Sequence, residues 1–137
     1  MNTKQVILLR KDLNMPAGKA CSMAAHASVQ AILNQMYTDK ELIDELDVYA
    51  VYRELNTTSN SALNLWITGA QTKITLGVDS LKELDLCYKK AQGFNLPCSY
   101  IIDNGLTVFT EPTIVGIAIG PDWAENINQI TSHLRLY

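Results

Sequence analysis

The sequence has few cysteines, no long apolar run and no excess of positive charge. Its three cysteines among 137 residues are Cys21, Cys87 and Cys98, which form neither a CxxC pair nor a cluster with histidine. This spacing predicts neither a disulfide framework nor a zinc site, so we expect free thiols in a reducing cytoplasm. No apolar run approaches the length of about 18 residues that a membrane helix needs. The N-terminal apolar stretch is also too short for a signal peptide. We therefore expect a cytoplasmic protein without membrane contact.

The charge balance is slightly acidic. The chain has 11 Lys and Arg residues against 14 Asp and Glu residues, which gives a formal net charge of −3. A dedicated nucleic-acid binder more often has a large basic excess. This weighs against a broad electrostatic grip on a phosphate backbone, although small basic clusters occur at 10–19 and 89–90. The apolar fraction of 47% indicates one globular domain, residues 1–137, with an ample core.

The pattern along the chain predicts the order β-α-α-β-α-β-β-α. Strands are expected at 5–10, 72–78, 97–103 and 113–120, and helices from about residue 18, from a capping box at 38–41 through residue 52, at 81–93 and at 121–134. Such alternation is typical of a largely parallel sheet covered on both faces. The short link between the third and fourth strands adds one antiparallel pair, hence a mixed sheet. The polar stretch "NTTSNSALN" at 56–64 is interpreted as a loop or insertion.

The apolar faces of two helices can be read from their spacing. The first helix has a stripe of mostly small side chains that permits close approach to a sheet: Ala20, Met23, Ala24, Ala27 and Ala31. The helix that follows the capping box "SLKE" is expected to end at Gly93. It is expected to bury Leu81, Leu84, Tyr88 and Ala91.

A lysine and an aspartate stand where a ligand site would form. In open α/β sheets, ligands bind beyond the carboxyl ends of the strands. Lys19 opens the helix after the first strand and Asp103 closes the third strand, so the two converge if these strands are parallel neighbours. Thr107 follows four residues later. A cation in a first helical turn opposes the helix dipole by about 0.3–1 kcal/mol, so Lys19 is better explained with an anionic partner.

Each of these residues also has a plainer interpretation. Lys19 could extend into solvent, and Asp103-Asn104-Gly105 is a common turn pattern. His26 lies two turns beyond Lys19, and the spacing alone favours a structural role for it. There is no Ser-His-Asp order, glycine-rich phosphate loop or metal-ligand spacing, so no metal or cofactor is predicted.

Three blocks of the sequence together resemble one known family. They read "VILLRKDLNMPAGKA…HA", "LWITGAQTKITLGVDSLKEL" and "IIDNGLT…IVGIAIGPDW…INQITSHLRLY". The chain resembles the type II peptidyl-tRNA hydrolases of archaea and eukaryotes over nearly its whole length. The third block is the most specific, because it contains an Asp-x-Gly-x-Thr element, a strand ending in Ile-Gly-Pro and a terminal T-x-H-L-x-L in the family's order.

The resemblance implies a fold, an activity and a set of site residues. The fold would be a single three-layer α/β/α domain with a four-stranded mixed sheet, often as a homodimer. The activity would be metal-independent hydrolysis of the ester that joins a peptide to the terminal ribose of tRNA. The family's important positions carry over to Lys19, His26, Asp103 and Thr107. We expect Lys19, Asp103 and Thr107 to be catalytic, with backbone N–H groups near Gly18 available for the oxyanion. We expect supporting or substrate-binding roles for Gly18, Met23, His26 and Asn104.

The chain departs from the family pattern at several positions. Where the family usually reads G-K-x-x-x-Q-C-x-H-A, this chain has Met23 and Ala24 in place of Gln and Cys. Leu106 and Val108 replace an arginine and a glutamine, and 48–65 is interpreted as an insertion. These changes leave two alternatives open. One is a binding or regulatory module without hydrolysis, and the other is a hydrolase for a small acyl ester or amide.

Overall fold

The fold alternates strands and helices along most of the chain. A computed structural model describes residues 2–42 and 49–137. The elements are β1 (Thr3–Arg10), a 3-10 turn (Lys11–Leu13), α1 (Ala17–Leu33), β2 (Tyr37–Leu42), β3 (Tyr49–Glu54), α2 (Ala62–Thr68), β4 (Lys73–Val78), α3 (Leu81–Gly93), β5 (Cys98–Asp103), β6 (Thr113–Trp123), α4 (Ala124–Thr131) and β7 (Arg135–Leu136). Within these described residues, no helix has the length and apolar character of a membrane span.

The main sheet is mixed, as expected, but it has five strands rather than four, in the order β5-β6-β1-β4-β7. Among the described strands, β1 and β4 are the one parallel pair, so the expectation of a largely parallel sheet is wrong. The reason is that β6 returns from β5 through a short loop and then inserts between β5 and β1. The first and third predicted strands, β1 and β5, are therefore not neighbours. Both are antiparallel to β6, so they still end at the same edge of the sheet.

A second, two-stranded sheet replaces the predicted helix at 38–52. β2 and β3 pair antiparallel, and the Arg53 guanidinium donates to Thr38 Oγ1 at 3.1 Å across the pair. The predicted helix was wrong for 38–42 and 49–52, and its remainder, 43–48, lies outside the described residues. The alternation and aromatic content of "YAVYRE" suit a strand, and pairing with 37–42 overrides the local capping-box pattern.

A short helix, α2, occupies part of the stretch interpreted as a loop. Ser61 caps this helix, because its hydroxyl accepts a hydrogen bond from the Asn64 N–H at 3.1 Å. Trp66 is buried, and its indole N–H donates to the Thr72 carbonyl at 2.9 Å. Ser61 is therefore a helix N-cap rather than a loop residue. The sequence did not indicate this, because the surrounding Asn and Thr residues are also typical of loops.

Two apolar clusters hold the main sheet. Successive strand residues point to opposite faces, so Val6 and Leu8 of β1 contribute to one cluster and Ile7 and Leu9 to the other. The first cluster includes residues of α3 and α4: Leu84, Cys87, Ala91, Ile127 and Ile130. The second cluster includes α1 residues from the predicted small-residue stripe, Ala20, Ala27 and Ala31, with Met23 and Ala24 packed against them. The small side chains therefore place α1 close to the sheet.

The helices on the first cluster differ from prediction mainly at their ends. In α3, Leu84 and Ala91 are buried and Tyr88 packs against the cluster, as predicted, but Leu81 is exposed. The final helix was predicted at 121–134, but Pro121 and Asp122 belong to β6 and α4 spans only Ala124–Thr131. The sheet extends further here because β6 continues pairing with β1 as far as Trp123. The short β7 after α4 was not predicted.

Candidate active site

The position of Lys19 follows from the way α1 begins. β1 ends at Arg10, and the chain turns through Asn14, which has a φ of 48°, before α1 starts at Ala17. Ala20 is buried against the sheet, so the first turn of α1 is held at the sheet edge. Lys19 is the preceding residue and is half-buried rather than extended into solvent. Its ammonium group therefore lies where β1 and β5 end.

Lys19 contacts both polar residues predicted to share its edge. Its ammonium group donates hydrogen bonds to Asp103 Oδ1 and, at 3.2 Å, to Thr107 Oγ1. The Lys19 and Asp103 side chains form an ion pair and are 13% and 7% exposed, so most of the water that would screen the pair is excluded. The predicted convergence is thus confirmed in geometry, although the strands concerned are not neighbours.

The turn after β5 fixes the Asp103 carboxylate from its other side. The Gly105 N–H donates to Asp103 Oδ2 at 2.9 Å, and Gly105 has a φ of 78°, which glycine adopts readily. The hydrogen bond from Lys19, followed by that from Gly105, lowers the pKa of Asp103 below its ordinary value of 3.8, although partial burial opposes this. Asp103 can therefore be both a turn residue and a site residue, because the turn itself orients its carboxylate.

The polar residues line a cleft of about 270 Å³. The full lining of this cleft consists of Lys19, Met23, His26, Ile102, Asp103, Asn104, Leu106 and Thr107. His26 is exposed and belongs to this lining. Gly18 lies in the first turn of α1 but is not among the residues that line the cleft. The predicted set is otherwise brought together.

Sequence reasoning missed three contributors to this site. Gly105 supplies the backbone donor to Asp103, and the Asp-Asn-Gly turn pattern could have indicated it. Phe109 places its ring centroid 6.0 Å from Lys19 Nζ, at the outer limit of a cation–π contact. Ile102 lines the cleft although it belongs to a strand. Nothing in the sequence pattern distinguishes Ile102 from a core residue, because its neighbour Ile101 is buried.

A nearby arginine is already neutralised. The Arg10 guanidinium donates to both carboxylate oxygens of Asp12, at 3.1 and 2.7 Å, and to the Ile114 carbonyl at 3.0 Å. The hydrogen bonds from Arg10 lower the pKa of Asp12. In the small basic cluster at 10–19, Arg10 is therefore paired with Asp12, whereas Lys19 lines the cleft.

The cysteines do not provide a nucleophile to the cleft. Burial raises the pKa of Cys98 to about 12 and also raises the pKa of Cys87, so both thiols stay protonated. Cys21 is exposed and lines a separate small cavity with Tyr137. Within residues 2–42 and 49–137, no three metal-ligating side chains come together. The chemistry that this cleft offers is that of an ammonium, a carboxylate, a hydroxyl and the imidazole of His26.

Comparison of the sequence with known families gives a match over nearly the whole chain. Residues 3–137 match the family Peptidyl-tRNA hydrolase PTH2. The chain therefore belongs to the PTH2 family, which confirms the resemblance carried by the three sequence blocks.

Individual archaeal relatives cover the same length. The chain is 38% identical over 134 residues to a peptidyl-tRNA hydrolase of Nanoarchaeum equitans, covering 98% of each chain. It is 36% identical over 136 residues to one of Sulfurisphaera tokodaii, covering 99% of each chain. It is 34% identical over 133 residues to one of Methanocaldococcus jannaschii, covering 97% of this chain and 98% of the relative.

A solved structure is similar in fold. It is a protein of unknown function from Agrobacterium tumefaciens strain C58, with a TM-score of 0.56 and 15% identity, covering 100% of this chain and 98% of the other. At this identity the likeness concerns the fold alone.

Proposed function

We propose that this protein hydrolyses the ester bond of peptidyl-tRNA and releases the peptide from the terminal ribose. Membership of the PTH2 family and the names of its full-length archaeal relatives support the activity. The observation that carries the assignment to a site is the contact of Lys19 with both Asp103 and Thr107 in one cleft. The alternative of a module without hydrolysis is not favoured, because these three polar groups remain together.

Lys19 stabilises the negative charge that develops during hydrolysis. When water attacks the ester carbonyl, the carbonyl oxygen becomes an oxyanion, and a positioned donor in a partly dehydrated cleft stabilises it. An ammonium group has three N–H donors, and Asp103 and Thr107 accept two of them. The third donor is available to the oxyanion or to a phosphate of the substrate.

Asp103 positions Lys19 and a water molecule rather than removing a proton. An efficient general base has a pKa near the working pH, whereas the pKa of Asp103 is lowered below 3.8. Its Oδ1 accepts from Lys19 and its Oδ2 from Gly105, and each carboxylate oxygen can accept one further hydrogen bond. The ionised carboxylate can thus hold the attacking water by accepting one of its hydrogens.

Thr107 provides an oriented hydroxyl. Because Thr107 Oγ1 accepts a hydrogen bond from Lys19, its own hydrogen is directed elsewhere. This O–H can pass its hydrogen to the ester oxygen that leaves as the ribose hydroxyl, while the second lone pair of Thr107 Oγ1 takes the proton that the attacking water loses. Replacing the hydroxyl by a methyl group in Thr107→Val therefore removes this donor and keeps the side-chain shape.

Hydrolysis of a defined substrate tests the proposal. Purified protein should release N-acetyl-amino acid from N-acetyl-aminoacyl-tRNA, and Thr107→Val should lower kcat/KM by about tenfold or more because one positioned donor is lost. Thr110→Val is the matched control, since Thr110 is exposed on the same loop outside the cleft lining. Absence of turnover by the wild-type protein, or equal losses in the two variants, would contradict the proposal.

We also propose a three-layer α/β/α arrangement, a homodimeric state and a cytoplasmic location. The two apolar clusters on opposite sheet faces support the layers. The free thiols Cys21, Cys87 and Cys98 support a reducing compartment. The dimer rests on the family resemblance, and sedimentation of the purified protein at several concentrations tests it.

A further inference from the structure

The cleft has an apolar side next to its polar cluster. Met23, Ile102 and Leu106 line the cleft together with Lys19, Asp103 and Thr107, and we call these three residues the apolar wall. Leu106 is 87% exposed and Ile102 is 51% exposed, so both present apolar surface at the cleft. Together with Met23, these two side chains form an apolar part of the cleft lining, which a ligand bound beside Lys19 would cover.

Each residue of the apolar wall lines the same cleft as the polar cluster. Ile102 and Leu106 lie in the same short segment as Asp103 and Thr107, and all four side chains share this lining. Met23 lies one helical turn beyond Lys19 on the same face of α1. A substrate whose ester lies at the polar cluster therefore presents its adjoining groups to the apolar wall. In peptidyl-tRNA those groups are the side chain of the esterified amino acid on one side and the ribose with its adenine on the other.

The chemistry of the wall favours the amino-acid side chain over the base. Proteins hold a splayed nucleobase by stacking on aromatic or guanidinium planes. The apolar wall consists of one thioether and two branched aliphatic side chains, whose flexible, non-planar surfaces match another aliphatic group. The formal net charge of −3 is also consistent with recognition that depends less on phosphate contacts than on the acyl part of the substrate.

We propose that the apolar wall binds the side chain of the C-terminal residue of the peptide, and that the protein prefers substrates in which this residue is large and aliphatic. This inference rests on the proposed peptidyl-tRNA hydrolysis and adds a specificity for the acyl part of the substrate. Met23, Ile102 and Leu106 are then specificity-determining residues, whereas Lys19, Asp103 and Thr107 act on the ester.

Substrates that differ only in one amino acid test the inference. N-acetyl-leucyl, N-acetyl-glycyl and N-acetyl-aspartyl esters are prepared on the same tRNA sequence, so that the nucleic-acid contacts stay constant. The wild-type kcat/KM should be about tenfold or more higher for the leucyl than for the glycyl ester, because a hydrophobic pocket discriminates by this order per missing group. The aspartyl ester should be the poorest substrate, because the wall cannot satisfy its charge.

A variant of the wall has a matched control in the same loop. Leu106→Ser should reduce the leucyl-to-glycyl ratio to about threefold or less, and its high exposure means that folding should be unaffected, which an unfolding curve checks. Val108→Ser is the control, because Val108 is 45% exposed two residues further on but lies outside the cleft lining. This control should keep the wild-type ratio.

The possible failures are distinguishable. If no ester is hydrolysed, the proposed function fails and the inference falls with it. If all three esters are hydrolysed with similar kcat/KM, or if Leu106→Ser and Val108→Ser change the ratio equally, hydrolysis stands and the inference is wrong. If Leu106→Ser lowers kcat/KM by the same factor for all three esters, the wall contacts a part of the substrate that the esters share, such as the ribose or the terminal base, and the inference is wrong.

Discussion

The Lys19–Asp103 pair explains why a charged side chain lies in a helix whose sheet-facing stripe consists mostly of small residues. A lysine in the first turn of α1 opposes the helix dipole, and its carboxylate partner offsets this. Removing charges from water is costly unless they are paired and hydrogen-bonded, and Asp103 has both Lys19 and the Gly105 N–H as partners. The pair is therefore held in one geometry that leaves a lysine donor facing the cleft.

The lowered pKa of Asp103 predicts a pH dependence of stability. The folded-state pKa lies below the ordinary value of 3.8, so the pair's contribution is present above the unfolded-state pKa and is lost as the pH falls through the folded-state pKa. We expect the difference in unfolding free energy between wild type and Asp103→Asn to be constant from about pH 5 to 8 and to shrink below about pH 4. Urea unfolding across this range measures it, and a difference that vanishes near pH 6 would contradict it.

Substitution of Gly105 is expected to lower both stability and activity. A Cβ at this residue would lie 2.5 Å from the Glu111 backbone, and the φ of 78° is unfavourable for alanine. Gly105→Ala should lower the unfolding free energy by about 1–3 kcal/mol and reduce kcat/KM by about tenfold or more, because the donor to Asp103 is displaced.

Gly93→Ala is the control for this substitution. A Cβ there would have open space at the end of α3, so stability and activity should both stay near wild type. Equal behaviour of Gly105→Ala and Gly93→Ala would show that the turn after β5 does not position Asp103.

At the scale of elements, the sequence patterns predicted helices and strands correctly where the local preference of a segment and its tertiary packing favoured the same structure. β1, α1, β4, α3, β5 and β6 were all predicted from apolar runs, helical spacing and capping boxes. The same capping-box pattern failed at 38–41, because β2 pairs in register with β3 instead of forming a helix. A helix cap stabilises its helix by about 1 kcal/mol, and strand pairing with another segment can contribute more than this.

The cap of α3 gives a prediction confined to one element. Ser80 accepts from the Glu83 N–H at 3.1 Å, and Glu83 in turn accepts from the Asp79 N–H at 2.8 Å. Ser80→Ala should therefore lower the unfolding free energy by about 0.5–2 kcal/mol, and Ser80→Asp should restore it. Urea unfolding of the two variants checks this, and an alanine variant as stable as the aspartate variant would refute the role of the cap.

For the whole molecule, the family and the convergence of the site could be predicted, whereas the sheet order could not. Lys19 and Asp103 were placed at one edge because strand ends gather ligands, and they do meet. The assumed reason, neighbouring parallel strands, was wrong because β6 lies between β1 and β5. Strand order depends on long-range pairing that no local pattern encodes. The exposure of Leu106 and Ile102 likewise became visible only with the fold.

The central claim is that Lys19 stabilises the transition state of peptidyl-tRNA hydrolysis. The most direct measurement is a single-turnover rate constant at saturating protein, with tRNA affinity measured in parallel, for wild type, Lys19→Ala and the control Lys82→Ala, since Lys82 is exposed on α3. We predict that Lys19→Ala lowers the rate constant by about 10²–10³-fold while tRNA affinity changes by less than about threefold, and that Lys82→Ala lowers neither. An unchanged rate constant in Lys19→Ala, or a loss that lies wholly in tRNA affinity, would contradict the claim.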